Sequence, residues 1–82
     1  EVLILDEPSI GLAPRLVGEI LRTVRELNRS AGLTILLIEQ NVRQSLAMSD
    51  FGYVLENGRI ALADTGAALL ANEHTKKAYI GR

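Results

Sequence analysis

Leu3-Ile4-Leu5-Asp6-Glu7-Pro8 is the stretch that decides the fold: an apolar run that stops abruptly on two adjacent carboxylates. The run Val2–Leu5 suits a strand buried on both faces, as in parallel sheets. Asp6 and Glu7 then fall at its carboxyl end, where open α/β sheets place their ligand crevice. A solvated acidic turn closing a core strand is the plain alternative, because acidic residues are common at strand ends.

The residues that follow extend the reading. A helix starts at Pro14, whose fixed φ and missing N–H suit the first helical position, and ends before Gly32, a good left-handed stop. Leu16, Val17, Ile20, Leu21, Val24 and Leu27 recur at helical spacing and form one apolar face, while Arg15/Glu19 and Arg22/Glu26 make i,i+4 pairs on the solvated side. Thr34 to Ile38 reads as a second buried strand, parallel to the first and reached through the helix by a right-handed crossover. It ends in Glu39-Gln40-Asn41 at the same sheet edge as Asp6-Glu7. Asn41 is placed to cap a short helix, with Gln44 reaching back in a capping box and Val42 and Leu46 facing inward. Asn57-Gly58 between Phe51–Glu56 and Arg59–Asp64 is a strong hairpin signal. Thr65 caps a small helix through Leu70, and a last helix runs from about Glu73 to Tyr79.

Composition narrows the function classes. The chain has 82 residues, 48% of them hydrophobic and 4% aromatic, which places it near the size at which one core supplies only a few kcal/mol. Nine basic residues interspersed with ten acidic ones give a net charge of −1 and no footprint for nucleic acid. With no cysteine there is neither a disulfide framework nor a thiolate metal site, which fits a reducing compartment. No apolar run reaches the ~20 residues needed to span a bilayer, and no signal peptide is evident, so the chain is expected to be soluble, with membrane association only through a partner.

Taken in order, LDEPSIGLAP at residues 5–14, LIEQN at 37–41, YVLENGRI at 53–60 and Ala78-Tyr79-Ile80-Gly81 resemble the last part of an ABC-transporter ATPase. They are most similar to the ATP-binding subunits of branched-chain amino-acid importers. The resemblance covers essentially the whole chain, residues 1–82. It implies an α/β fold, the C-terminal half of a P-loop NTPase domain from the Walker B motif onward: parallel strands with a crossover helix, a β-hairpin and C-terminal helices.

The same resemblance implies roles for individual residues. Asp6 looks like the carboxylate that holds Mg²⁺, through water, and Glu7 like the residue that orients and deprotonates the attacking water. Ser9 to Leu12, with Ser9 and Gly11 on the nucleotide side, correspond to the loop that crosses between two ATP-binding subunits. Gln40 stands where most ABC ATPases have a histidine that contacts the γ-phosphate. A glutamine amide donates the same hydrogen bond but cannot carry charge or shuttle a proton. His74, the only histidine, reads as a solvated surface residue, Lys76 and Lys77 as a solvated last turn, and Tyr53 and Tyr79 as packing residues.

Two signals are absent from the sequence: Gly-x-x-x-x-Gly-Lys-Ser/Thr, the loop that cradles phosphates, and a Ser-Gly-Gly-Gln signature. The expectation is a chain that begins in mid-domain and by itself neither binds ATP tightly nor hydrolyses it. The implied cofactors, ATP and Mg²⁺, and the implied partners, transmembrane permease subunits and a second ATP-binding subunit, belong to an intact subunit on the cytoplasmic face of a prokaryotic membrane. A strand that the family wedges between Thr34–Ile38 and Phe51–Glu56 has no counterpart here. The gap is expected either to be closed by the hairpin or to drive self-association of the chain. Other readings are a non-catalytic interaction or dimerisation module, an ATPase of a related urea or amide importer, and a DNA-repair ATPase of the same superfamily.

Overall fold

The run Val2–Asp6 forms strand β1 and pairs in parallel with β2 (Thr34–Ile38), Val2 opposite Thr34 and Asp6 opposite Ile38. Between them lies helix α1 (Pro14–Ala31), with proline in its first turn and Gly32 closing it at φ 68°, a left-handed angle that glycine adopts without steric cost. Helix α2 (Val42–Met48) leads to the antiparallel pair β3 (Phe51–Glu56) and β4 (Arg59–Thr65), followed by α3 (Gly66–Ala71) and α4 (Glu73–Thr75). A π-helical turn, Lys76–Ile80, follows in this computed structural model, which describes residues 1–81.

The local chemistry explains most boundaries. Asn57 at φ 53° and Gly58 at φ 75° supply the two left-handed residues that a tight type I′ hairpin turn requires. The ladder slips between Val54 and Leu55, pairing them with Leu62 and Ile60 and leaving Ala61 as the extra residue of a bulge. Thr65 caps α3 as expected, its hydroxyl accepting from the Ala68 N–H at 3.1 Å. The last segment is not one regular helix: Asn72 caps a single α turn through the Thr75 N–H, and the chain then widens into the π turn that ends at Gly81, φ 86°.

Burial departs from the sequence reading in a systematic way. Val17, Leu21 and Val24 of α1, Leu46 of α2 and Leu69 of α3 form the buried core, but Leu16, Ile20 and Leu27 are exposed. Both strands of the parallel pair alternate between half-covered and open positions. Val2 and Ile4 are 65% and 62% exposed, and Leu36 and Ile38 are 49% and 45% exposed. The expected burial on both faces is therefore wrong for this chain, because no described element covers the second face. Nor does the hairpin close the gap: β3–β4 is a separate two-stranded sheet, unpaired with β1–β2.

Two further expectations are corrected. Neither Arg15/Glu19 nor Arg22/Glu26 forms an ion pair; instead Arg25 grips Asp50 in a two-pronged contact, 2.8 Å on each side. The guanidinium fork matches a carboxylate in a way that simple helix spacing does not. The capping box at α2 is also absent, since Gln44 Nε2 donates to the Pro14 carbonyl and the Asn41 side chain makes no cap bond.

Close packing is tightest at Gly66. A Cβ there would lie 2.3 Å from the Leu46 carbonyl oxygen and 2.4 Å from that of Ser49, both backbone atoms that cannot swing aside. At Gly52 the corresponding atoms are Leu46 Cδ2 and Leu69 Cδ1 at 2.8 and 2.9 Å, the flexible ends of side chains. Gly66→Ala is expected to lower stability by about 2–3 kcal/mol or more, and Gly52→Ala by less, about 1–2 kcal/mol. Urea midpoints of the two variants check the order.

Candidate functional site

Parallel pairing sends the carboxyl ends of β1 and β2 to one edge, so the loop after Asp6 and the loop after Ile38 emerge side by side. The Glu7 N–H continues the ladder, donating to the Ile38 carbonyl at 2.7 Å. Glu7 itself has φ 50°, an angle that costs a non-glycine residue about 1–3 kcal/mol. The turn that follows is closed by Ile10 N–H to the Glu7 carbonyl at 3.2 Å and Leu12 N–H to the Ser9 carbonyl at 3.1 Å. Gly11, at φ 81°, faces open space.

Ser9 is the buried residue of this loop, 1% exposed. Its N–H and hydroxyl both donate to Glu39 Oε2, at 3.2 and 2.7 Å. Asn41 Nδ2 donates to Ser9 Oγ at 3.0 Å and to Glu39 Oε1 at 3.2 Å. Partial burial pushes the Glu39 carboxyl up, but the hydrogen bonds from Ser9 and Asn41 outweigh it and hold the group below its ordinary range.

The sequence-derived site residues are thus distributed around one edge. Asp6 is exposed at the end of β1, Glu7 is half-buried, and Gln40 is exposed between Glu39 and Asn41. Their side chains make no hydrogen bond to another described residue, which leaves them available to a ligand. Ser9, expected on the nucleotide side, has its hydroxyl turned to Glu39 and Asn41 instead. Sequence reasoning missed Glu39 and gave Asn41 a capping role. The available signal was three consecutive hydrogen-bonding side chains at the exit of an apolar strand.

A second polar cluster joins the tail to the hairpin. Glu56 Oε2 accepts from the Tyr79 hydroxyl and lies 2.6 Å from His74 Nε2, with the two rings edge to face. The Tyr79 and His74 contacts hold the Glu56 carboxyl low, and Glu56 raises the Tyr79 hydroxyl in turn. His74 is therefore a surface residue with a partner rather than a freely solvated one, and Tyr79 acts through its hydroxyl. Tyr53, 57% exposed, is not a packing residue in this chain, although its ring meets Phe51 edge to face.

Similarity to known proteins matches this architecture. No protein-family model matches the chain. It is 51% identical over 99% of its length to BraG, the high-affinity branched-chain amino acid transport ATP-binding protein of Pseudomonas aeruginosa, and covers 34% of that protein. It is 41% identical to the probable branched-chain amino acid transport ATP-binding protein LivF of Archaeoglobus fulgidus, over 98% of this chain and 34% of LivF. In sequence and fold the chain is similar to part of ABC-transporter ATP-binding subunits. The solved structure of cbiO1 from Clostridium perfringens, part of the ABC transporter complex cbiONQ, superposes with a TM-score of 0.79 at 30% identity. That match covers 98% of this chain and 32% of the other. An exporter subunit is also similar: LptB, the lipopolysaccharide export ATP-binding protein of Escherichia coli, at 35% identity over 96% of this chain and 32% of LptB. The chain spans about a third of the length of these relatives.

The Glu39 cluster has a pH signature. Because its carboxyl is lowered in the folded state, its stabilisation is fully present above the unfolded value near pH 4.5 and fades as pH falls through the lower folded value. Urea unfolding between about pH 6 and pH 3 is expected to show this loss in the native chain and a shallower one in Glu39→Gln.

Proposed function

We propose that this chain carries the hydrolytic edge of an ATP-hydrolysing subunit that powers import of branched-chain, hydrophobic amino acids. One observation carries the reading: Asp6, Glu7 and Gln40 occupy the shared carboxyl edge of the parallel pair, with side chains free of partners among the described residues. The similarity to BraG and LivF supports the substrate class.

The donor chemistry suits Mg-ATP. Among the described residues no three His, Cys, Asp or Glu side chains gather into a metal cage. Two adjacent carboxylates fit a hard cation that keeps much of its water and takes its other ligands from phosphates. Bound Mg-ATP would supply the transferable phosphoryl group and neutralise charge on it. Asp6 would hold the cation through water, Glu7 would orient a water and take its proton at a carboxylate oxygen, and Gln40 would donate its amide to a phosphate oxygen. Ser9 and Gly11 would shape the loop toward a second ATP-binding subunit. The left-handed φ of Glu7 supports its role, since strain concentrates where a side chain must be aimed.

The remaining phosphate contacts would come from segments with a Gly-x-x-x-x-Gly-Lys-Ser/Thr loop, which this sequence lacks. The 82-residue chain alone is accordingly inactive. No described helix is long and apolar enough to cross a membrane. The similarity to transport ATP-binding proteins supports permease subunits as partners that would provide the membrane path, with this subunit at the cytoplasmic face. A second reading, an assembly module without catalysis, draws on the open apolar face of β1–β2. The same face supports self-association of the chain.

Calorimetry of the chain with Mg-ATP is expected to give no binding at micromolar or tighter strength. A hybrid in which this chain replaces the matching segment of BraG is expected to hydrolyse ATP, and Glu7→Gln in that hybrid to lose at least about 100-fold in kcat. An active Glu7→Gln hybrid favours the assembly reading. Sedimentation of the chain at rising concentration is expected to show oligomers; a strictly monomeric profile with a fully exchange-protected sheet rejects self-association.

A further inference from the structure

We propose that Glu39 is a positioning residue that locks the Ser9–Leu12 loop to the Gln40 backbone, so that the two loops at the candidate site move as one unit. The inference deepens the proposed ATPase reading and rests on it for the catalytic consequence, though not for the mechanical one.

The geometry carries the proposal. Glu39 Oε2 accepts two hydrogen bonds from Ser9, and Oε1 accepts one from Asn41, which also donates to Ser9 Oγ. Ser9 stands 30 residues before Glu39 in sequence, so these bonds join loops that only the parallel register brings together. Gln40 lies between Glu39 and Asn41, whose side chains are both committed to Ser9. Its backbone is pinned from each side while its own amide stays free. Glu7 lies two residues from Ser9 and is itself anchored to β2 through the Ile38 carbonyl. The carboxylate thereby sets the relative placement of the water-orienting residue and the phosphate-contacting residue without facing either ligand. Reactions that depend on positioning lose rate steeply when such a support is removed.

Replacing the carboxylate with an amide places a donor where Asn41 or Ser9 donates, so at least one bond is lost. Two measurements on Glu39→Gln decide the matter. In the full chain, the Ser9 backbone amide and the Asn41 side-chain amide are followed by NMR through an acid titration. The expected result is one shared midpoint below the ordinary glutamate range, absent from both signals in Glu39→Gln. Separate midpoints, or a Ser9 step that survives the substitution, overturn the lock.

In the BraG hybrid, Glu39→Gln is expected to lower kcat about tenfold with KM for Mg-ATP within about twofold, and Glu39→Asp to recover part of the loss. Ser9→Ala combined with Glu39→Gln is expected to cost no more than the worse single change, because both remove the same link. An unchanged kcat in Glu39→Gln overturns the positioning role. An unmutated hybrid with no turnover overturns the ATPase reading instead, and the amide titration then decides whether the lock exists.

Discussion

The parallel register between Val2–Asp6 and Thr34–Ile38 is the constraint on which the rest of the structure depends. Setting Asp6 opposite Ile38 aligns the two strand exits and brings residues more than thirty positions apart into hydrogen-bonding reach. A parallel pair cannot be joined by a tight turn, so the intervening chain must run back along the sheet, and α1 does so between a proline start and a left-handed glycine stop. The ladder ends with the Glu7 N–H on the Ile38 carbonyl, and the polar side chains that follow each strand gather at this carboxyl edge. Electrostatics refine that placement: Glu39 outweighs its desolvation by accepting from Ser9 and Asn41, and its neighbour Gln40 remains free.

The covering of that sheet is one-sided. Helices α1, α2 and α3 supply a small core around Val17, Leu21, Leu46 and Leu69, and the opposite sheet face keeps Val2, Ile4, Leu36 and Ile38 in contact with solvent. Such a chain buries little apolar area for its length, and polar clasps assume more weight than in a larger domain. Arg25–Asp50 joins α1 to the start of the hairpin, and Glu56 joins the hairpin to His74 and Tyr79 of the tail. The backbone-to-backbone approach at Gly66 belongs to the same economy, bringing α3 against the end of α2 with no side chain between.

Legibility in the sequence followed the range of the interaction. Pro14, Gly32, Asn57-Gly58 and Thr65 each act on their own backbone or on residues within one turn, and each marked its element within a residue or so. The longer reach of side chains broke local rules. Gln44 found the Pro14 carbonyl instead of its own helix cap, and Arg25 found Asp50 instead of a helical neighbour. For the site, the sequence set Asp6, Glu7, Ser9, Gly11 and Gln40 at or just beyond the ends of two apolar strands, and the structure has those strand ends side by side. The hydrogen bonds of Glu39 were invisible because its partner Ser9 lies across the sheet edge.

The sequence by itself determined the strand–helix–strand order, the hairpin turn and the position of adjacent acids at a strand end, since these arise from propensities, caps and periodicity within a few residues. Only the tertiary structure decided which sheet face stays open, that the hairpin forms a sheet of its own, and that Ser9, Glu39 and Asn41 join in one cluster. Those outcomes turn on which surfaces meet in three dimensions, and one-dimensional patterning records that a residue is apolar or polar but not what lies opposite it.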